Sequence, residues 1–282
     1  MKKVILCLFL ASCFTAPAAA KLDLNRKDQR KCKKVLLDGL RSDEFWSSMH
    51  AAEGLTLGGF GDVVRKHCAS KLPKEKNHQH RCGLARELVR AGDRQKSQVM
   101  MKILSDLNST GRVHAAESLY KVGWTGSSKP LEKAFAGADD LRLKYMAAAA
   151  LGKKGSQQAM KFLRDEMRTQ EDTKLLYIPA WILSRIGNKS DIPLIRKRLA
   201  DAPDAWMKSF LEHALAALGD PDGQKALWRN LKSEDPRLRT YAAVFAGDAR
   251  MLDTKAQLLE QLADENLDAR IRAAQTLLFL SR

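Results

Sequence analysis

His213-Ala214-Leu215-Ala216-Ala217-Leu218-Gly219-Asp220 decides how this chain folds. Its small residues lie within an apolar stripe at helical spacing. The glycine can end the helix in a left-handed turn, and the aspartate can accept the free N–H groups that open the next one. Working outward, the same phrase recurs as His50-Ala51-Ala52-Glu53 to Gly59, Gly83-Leu84-Ala85-Arg86 to Gly92, and His114-Ala115-Ala116-Glu117 to Gly123. It continues as Tyr145-Met146-Ala147-Ala148 to Gly152 and Ile178-Pro179-Ala180-Trp181 to Gly187, with degenerate copies ending near Gly247 and in Arg272-Ala273-Ala274. Successive glycines stand 33, 31, 29, 35, 32 and 28 residues apart, a length that holds two helices and two turns.

The reading is therefore all-α: about eight helical hairpins from residue 25 to residue 281, with no competing strand alternation. Second helices are expected near 43–58, 79–91, 111–122, 140–151, 173–186, 204–218, 235–246 and 268–281. One hairpin cannot bury both its faces, so neighbours must stack. Alanine pairs let the helices approach closely, and leucines and isoleucines fill the layer between repeats. The expected product is a single right-handed α-solenoid over residues 21–282, with one helix of each pair on the convex side and its partner lining a concave groove; if the second helices line it, the candidate site below faces the groove. Asp93, Asp220 and Asp248 are the expected N-caps. Pro193 suits a helix start, whereas Pro179 predicts a kink or broken turn.

These units resemble the short HEAT-like repeats, also called phycobilisome-lyase-type repeats, over nearly all of the mature chain. The resemblance implies a binding scaffold. Some members of the wider group take part in bilin attachment, but nothing here marks a bilin lyase, and an export signal departs from that setting.

The 282 residues include 49 Lys+Arg against 33 Asp+Glu, a formal net charge of +16, and 45% are hydrophobic. That much apolar material with both signs of charge excludes a disordered polyelectrolyte. The basic balance favours acidic partners. Residues 1–20 read as an export signal: Lys2 and Lys3, an apolar run from Val4 to Phe14, then Ala16-Pro17-Ala18-Ala19-Ala20. A periplasmic or secreted protein is expected. The alternative is a lipoprotein box, Leu10-Ala11-Ser12-Cys13, with lipidated Cys13 tethering the protein to a membrane. Removing residues 1–20 leaves 47 basic and 33 acidic residues, or +14, so export barely alters the charge argument. Oxidising surroundings permit one disulfide among Cys32, Cys68 and Cys82. Cys32–Cys68, separated by nearly one repeat, is the expected bridge. Cys68–Cys82 competes, and three buried thiols are the third alternative.

Five of the six histidines lie between residues 50 and 114. His50 and His114 share one repeat position and Glu53 and Glu117 another, three residues on and on the same helix face. His80, Arg81, Arg86 and Glu87 come from the repeat between, and Tyr120 lies one turn beyond Glu117. Three uses compete for this group. It can be a repeat consensus held by internal pairing, or a recognition pocket in which Arg81 and Arg86 grip a carboxylate or sulfate. It can also be a catalytic site, with His50, His80 or His114 as acid or base, Glu53, Glu87 or Glu117 orienting or exchanging a proton, and Tyr120 donating. Tyr145, Tyr177 and Trp181 are added as binding residues, Trp181 as a sugar floor. No metal, cofactor or nucleic acid is expected; aromatic residues, 6% of the chain, are too sparse for a stacking platform. The expected protein is a monomer that binds a protein or an anionic glycan in its basic groove. The alternative is an extracellular polysaccharide lyase or hydrolase.

Overall fold

The computed structural model describes residues 20–282. The leader reading, Cys13 included, lies outside the described residues. Among them every regular element is helical, and sixteen α-helices pair into eight hairpins. The first helices are α1 (Arg26–Leu40), α3 (Gly61–Lys71), α5 (Ser97–Ser105), α7 (Lys129–Gly137), α9 (Gln157–Thr169), α11 (Ile192–Ala200), α13 (Pro221–Asn230) and α15 (Lys255–Gln261). Their partners are α2 (Phe45–Leu57), α4 (His78–Arg90), α6 (Arg112–Val122), α8 (Leu141–Lys153), α10 (Thr173–Ile186), α12 (Ala205–Ala217), α14 (Pro236–Asp248) and α16 (Leu267–Leu280).

Side-chain caps start many of these helices. Asp140, Asp172, Asp204, Asp220, Asp235 and Asn266 each accept from backbone N–H groups of the following turn. Of the three expected caps, Asp220 performs the role, Asp93 makes no capping bond, and Asp248 lies inside α14. The phrase-closing glycines divide in the same way. Gly219, at φ +87°, makes the left-handed turn after α12. Gly247 is helical, and a Cβ there would lie 3.2 Å from the Thr276 hydroxyl of α16, so its smallness serves close packing. The turn after α14 falls to Arg250 at φ 51°. Pro193 sits in the first turn of α11, and α10 runs unbroken through Pro179.

The even-numbered helices form an inner layer and the odd-numbered ones an outer layer. Ala51, Ala52, Ala115, Ala116 and Ala147 to Ala150 are completely buried between them. The array does not stay open. Helix α16 packs on both α1 and α2, and a Cβ on Gly39 would stand 2.7 Å from Ile271. Next to this seam the Leu22 N–H donates to the Leu280 carbonyl at 2.8 Å, with Leu22 and Leu24 buried. Eight repeats thus complete a ring, and the expected open groove is a central cavity. The cause is contact between the first and last repeats, which no local sequence pattern announces.

Cys32, Cys68 and Cys82 are all free and fully buried, so the expected Cys32–Cys68 bridge is absent. Cys32 sits in the packing of α1 and Cys68 in that of α3, two outer helices with α2 packed against both. Burial, the leading cause in each case, pushes all three thiols up to about 12. They act as small apolar residues.

Candidate functional site

The cavity encloses about 560 Å³ and is lined by side chains from every inner helix. All eight inner helices run the same way, as their mutual contacts show: residues of last turns meet residues of last turns, and early residues meet early ones. One mouth therefore gathers helix N-termini and the other helix C-termini. Arg90, Lys121, Lys153 and Arg185 come from the last turns of α4, α6, α8 and α10, the positions at which a helix dipole favours cations. The N-terminal mouth carries Tyr177, Phe210 and Tyr241. Phe210 holds the other two at 5.4 and 5.0 Å between ring centres.

Most charges in this wall are already paired. Glu53 takes Arg90 at 2.8 Å on one side and Arg272 at 2.9 Å on the other. Burial opposes its ionisation, but Arg90 and then Arg272 outweigh that and hold Glu53 well below the usual carboxylate range. His50 and Asp268 meet at 3.0 Å across the ring seam. Burial, then Arg272, lowers the His50 imidazole, and Asp268 pulls the other way. Arg185 reaches Asp248 at 2.5 Å, across α12. Glu117 pairs with Lys121 at 2.7 Å; although burial raises the carboxyl, Lys121 and Arg86 bring it to about 2.

Three donors are not consumed by this pairing. Lys153 has no carboxylate partner among the described residues; its ammonium donates to the Tyr120 and Lys121 carbonyls at 3.1 and 3.2 Å. Burial, followed by Arg90 and Arg185, lowers its pKa. Arg185 Nη1 and the Tyr120 hydroxyl are buried without a hydrogen-bond partner. Tyr120 is only 2% exposed, and burial pushes its phenol upward. The Tyr120 ring meets Trp181 edge-on at 5.4 Å, and the Arg185 guanidinium stands 4.7 Å from the Trp181 ring centre.

The sequence candidates thus separate. His50, Glu53, Glu117, Tyr120, Tyr177 and Trp181 line the cavity. His80 and His114 do not: His80 stacks on Phe45 at 3.8 Å and His114 on Trp46 at 5.3 Å. Together they form an aromatic plug where α2, α4 and α6 begin, with the bare Gly83 leaving room for Phe45. Glu87 and Arg86 are buried behind the lining, joined at 2.7 Å, with Arg90 on the other oxygen of Glu87. Arg81 donates to the Glu75 carbonyl at 3.0 Å, in the loop before α4. Tyr145 turns outward, its hydroxyl donating to Glu166 of α9 at 2.6 Å. Among the described residues no group of three or more His, Cys, Asp or Glu side chains is placed to hold a metal ion.

Sequence reasoning missed Lys121, Lys153, Arg185, Tyr241, Asp248, Asp268 and Arg272. A signal for several of them was present. Counting six residues back from successive closing glycines gives Glu53, Glu117, Met146, Trp181 and Tyr241, all facing the cavity, with buried Arg86 and His213 as the exceptions. Two residues back stand the cations Arg90, Lys121 and Arg185.

Residues 128–216, spanning α7 to α12, match a family model described as HEAT repeats. No curated protein matches the chain. Among solved structures the chain is similar to human deoxyhypusine hydroxylase in complex with glycerol, at 15% identity over 90% of this chain and 97% of that one, with a TM-score of 0.41. It is also similar to an engineered protein, at 16% identity over 88% and 96% of the two chains, with a TM-score of 0.33. At these scores neither likeness bears on the chemistry of the site. The HEAT-like resemblance of the sequence stands over these residues, and the described chain folds throughout as an all-α array of stacked helical hairpins.

Proposed function

We propose that this scaffold is an exported binding protein whose central cavity takes the end of an anionic glycan. The observation that carries the reading is two buried donors without partners, Arg185 Nη1 and the Tyr120 hydroxyl, in a cavity of about 560 Å³. Beside them the Lys153 ammonium has no carboxylate partner among the described residues and uses only two of its three N–H bonds. That volume falls in the range of small-ligand sites. A folded protein partner cannot enter it and would have to meet the rim or the outer helices. The catalytic alternative has less support: His80, His114 and Glu87 stand away from the cavity and Glu53 is clamped between two arginines, which leaves His50, Glu117 and Tyr120 of that set in the lining. Export is carried by the sequence of residues 1–20; Leu22, two residues beyond, is buried and bonded to the last helix.

The test is calorimetric titration of the mature protein with short uronate-rich and sulfated oligosaccharides, and with an acidic peptide of matched charge. The expected result is glycan binding that Lys153→Met weakens about tenfold, the loss of roughly one charge-assisted hydrogen bond. Val244→Trp, which fills the cavity, should abolish it. Binding of the peptide alone, or of no glycan at all, overturns the proposal.

A further inference from the structure

Three tyrosines on three inner helices face the cavity: Tyr120 on α6, Tyr177 on α10 and Tyr241 on α14. Among the described residues the Tyr120 hydroxyl is buried with no hydrogen-bond partner, while Tyr177 is half-buried and Tyr241 is 39% exposed, neither bonding its hydroxyl to another side chain. Tyr145, the remaining tyrosine, spends its hydroxyl on Glu166 and Gln170 at 2.6 and 2.9 Å. The contrast is sharpest at Tyr120, because a buried phenol costs stability unless its O–H is bonded; half-buried Tyr177 and exposed Tyr241 present their hydroxyls to the solvent-accessible cavity. A cavity needing only apolar contact would carry phenylalanine at these places, as α12 does with Phe210. A cavity needing only to hold an anion would be served by its cations.

The surroundings narrow the chemistry. The Glu117 carboxylate lines the same cavity and stays ionised because Lys121 faces it at 2.7 Å. It can accept hydrogen bonds from a ligand, while each phenol can both donate and accept. Trp181 lines the same space, its ring in contact with Tyr120 and the Arg185 guanidinium. A ring-shaped polyol has hydroxyls of both roles around its edge and C–H groups on its faces, and it matches this inventory. We infer that Tyr120, Tyr177 and Tyr241, with Glu117 and Trp181, form a subsite that recognises the hydroxyls of a sugar ring. The cations of the C-terminal mouth take that sugar's acidic groups. This inference rests on the cavity-binding reading above and adds to it the discrimination of a sugar from any other anion.

The experiment titrates native protein and the variants Tyr120→Phe, Tyr177→Phe and Tyr241→Phe with an oligosaccharide bound by the native protein, and separately with inorganic pyrophosphate. Each substitution keeps the ring and removes only the hydroxyl, so far-ultraviolet circular dichroism should be unchanged. The expected outcome is about tenfold weaker glycan binding for at least two variants, with pyrophosphate binding unmoved. If all three variants bind the glycan as the native protein does, and Val244→Trp still abolishes binding, the sugar subsite is wrong and the cavity reading survives. Equal weakening toward glycan and pyrophosphate also overturns the subsite, because the phenols would then serve any anion. A native protein that binds no glycan removes both.

Discussion

Two stretches of the inner wall are polar in opposite senses. In the wall of α16, α2 and α4, each acid and base is answered by another: Arg272, Glu53, Arg90, Glu87 and Arg86 form a continuous buried series. In the wall of α6 through α14 the donors outnumber their partners, and Tyr120, Lys153 and Arg185 retain bonding capacity. The first stretch holds the ring together, because its links cross from the last repeat to the first. The second is where a ligand has something to gain. Polar density in a sequence therefore says little about function; what decides is whether the groups satisfy one another.

Within the saturated stretch a single substitution should cost most. Glu87 is completely buried between Arg86 and Arg90, so Glu87→Ala leaves two guanidinium groups without their shared carboxylate. Removing one partner of such a buried network costs about 3–5 kcal/mol. Urea unfolding should show that loss. A change within experimental error would mean that the series is ornamental and that its residues are free for another use.

His213 lies between the two cases. Its Nε2 accepts from Asn230 at 3.0 Å, while Nδ1 is buried without a partner. Burial, with Arg229 adding to it, depresses the imidazole from 6.5 to about 3. In this window the unfolded chain takes up a proton that the folded chain refuses. Stability is therefore intact above pH 6.5 and falls as the pH drops toward 3. Replacing the ring by an amide that still accepts from Asn230 removes this penalty. His213→Gln should lose about 2 kcal/mol less than the native protein when both are unfolded in urea at neutral pH and again in the middle of the window. Equal acid losses would show that His213 is protonated in the fold.

How much of this was legible depends on the range of the interaction. The glycine-closed alanine phrase is local, and it yields the helices and the hairpins; that the second helix of each pair is the inner one was only a condition of the site reading, which the stacked array meets. Within that register Glu53 and Glu117 were found, and Trp181 and Tyr241 share it. His114 and His80 were misplaced because Gly83 and Phe45 let aromatic rings fill the space above them, a packing detail that no spacing encodes. Closure was out of reach for a different reason. Asp268 meets His50 across 218 residues, and only the accumulated rotation of all eight repeats brings them together. The concave groove became a cavity at that step, and Asp268, the partner of His50, and Arg272, one of the two partners of Glu53, came from the last helix.

The smallest expected effects discriminate most finely between the two walls. Tyr145 and Tyr120 are both almost entirely buried, and each can be shortened by one oxygen. Tyr145→Phe removes bonds to Glu166 and Gln170 and leaves the Glu166 carboxylate short of a donor, at a cost of about 1 kcal/mol. Tyr120→Phe removes a hydroxyl that bonds to nothing in the described structure, so the unliganded protein should be unchanged or slightly more stable. The sign of that difference, read from paired thermal or urea unfolding without ligand, bears directly on the cavity. A Tyr120→Phe protein destabilised as much as Tyr145→Phe would show its hydroxyl already engaged in the resting ring, and the donor offered to a ligand would not exist.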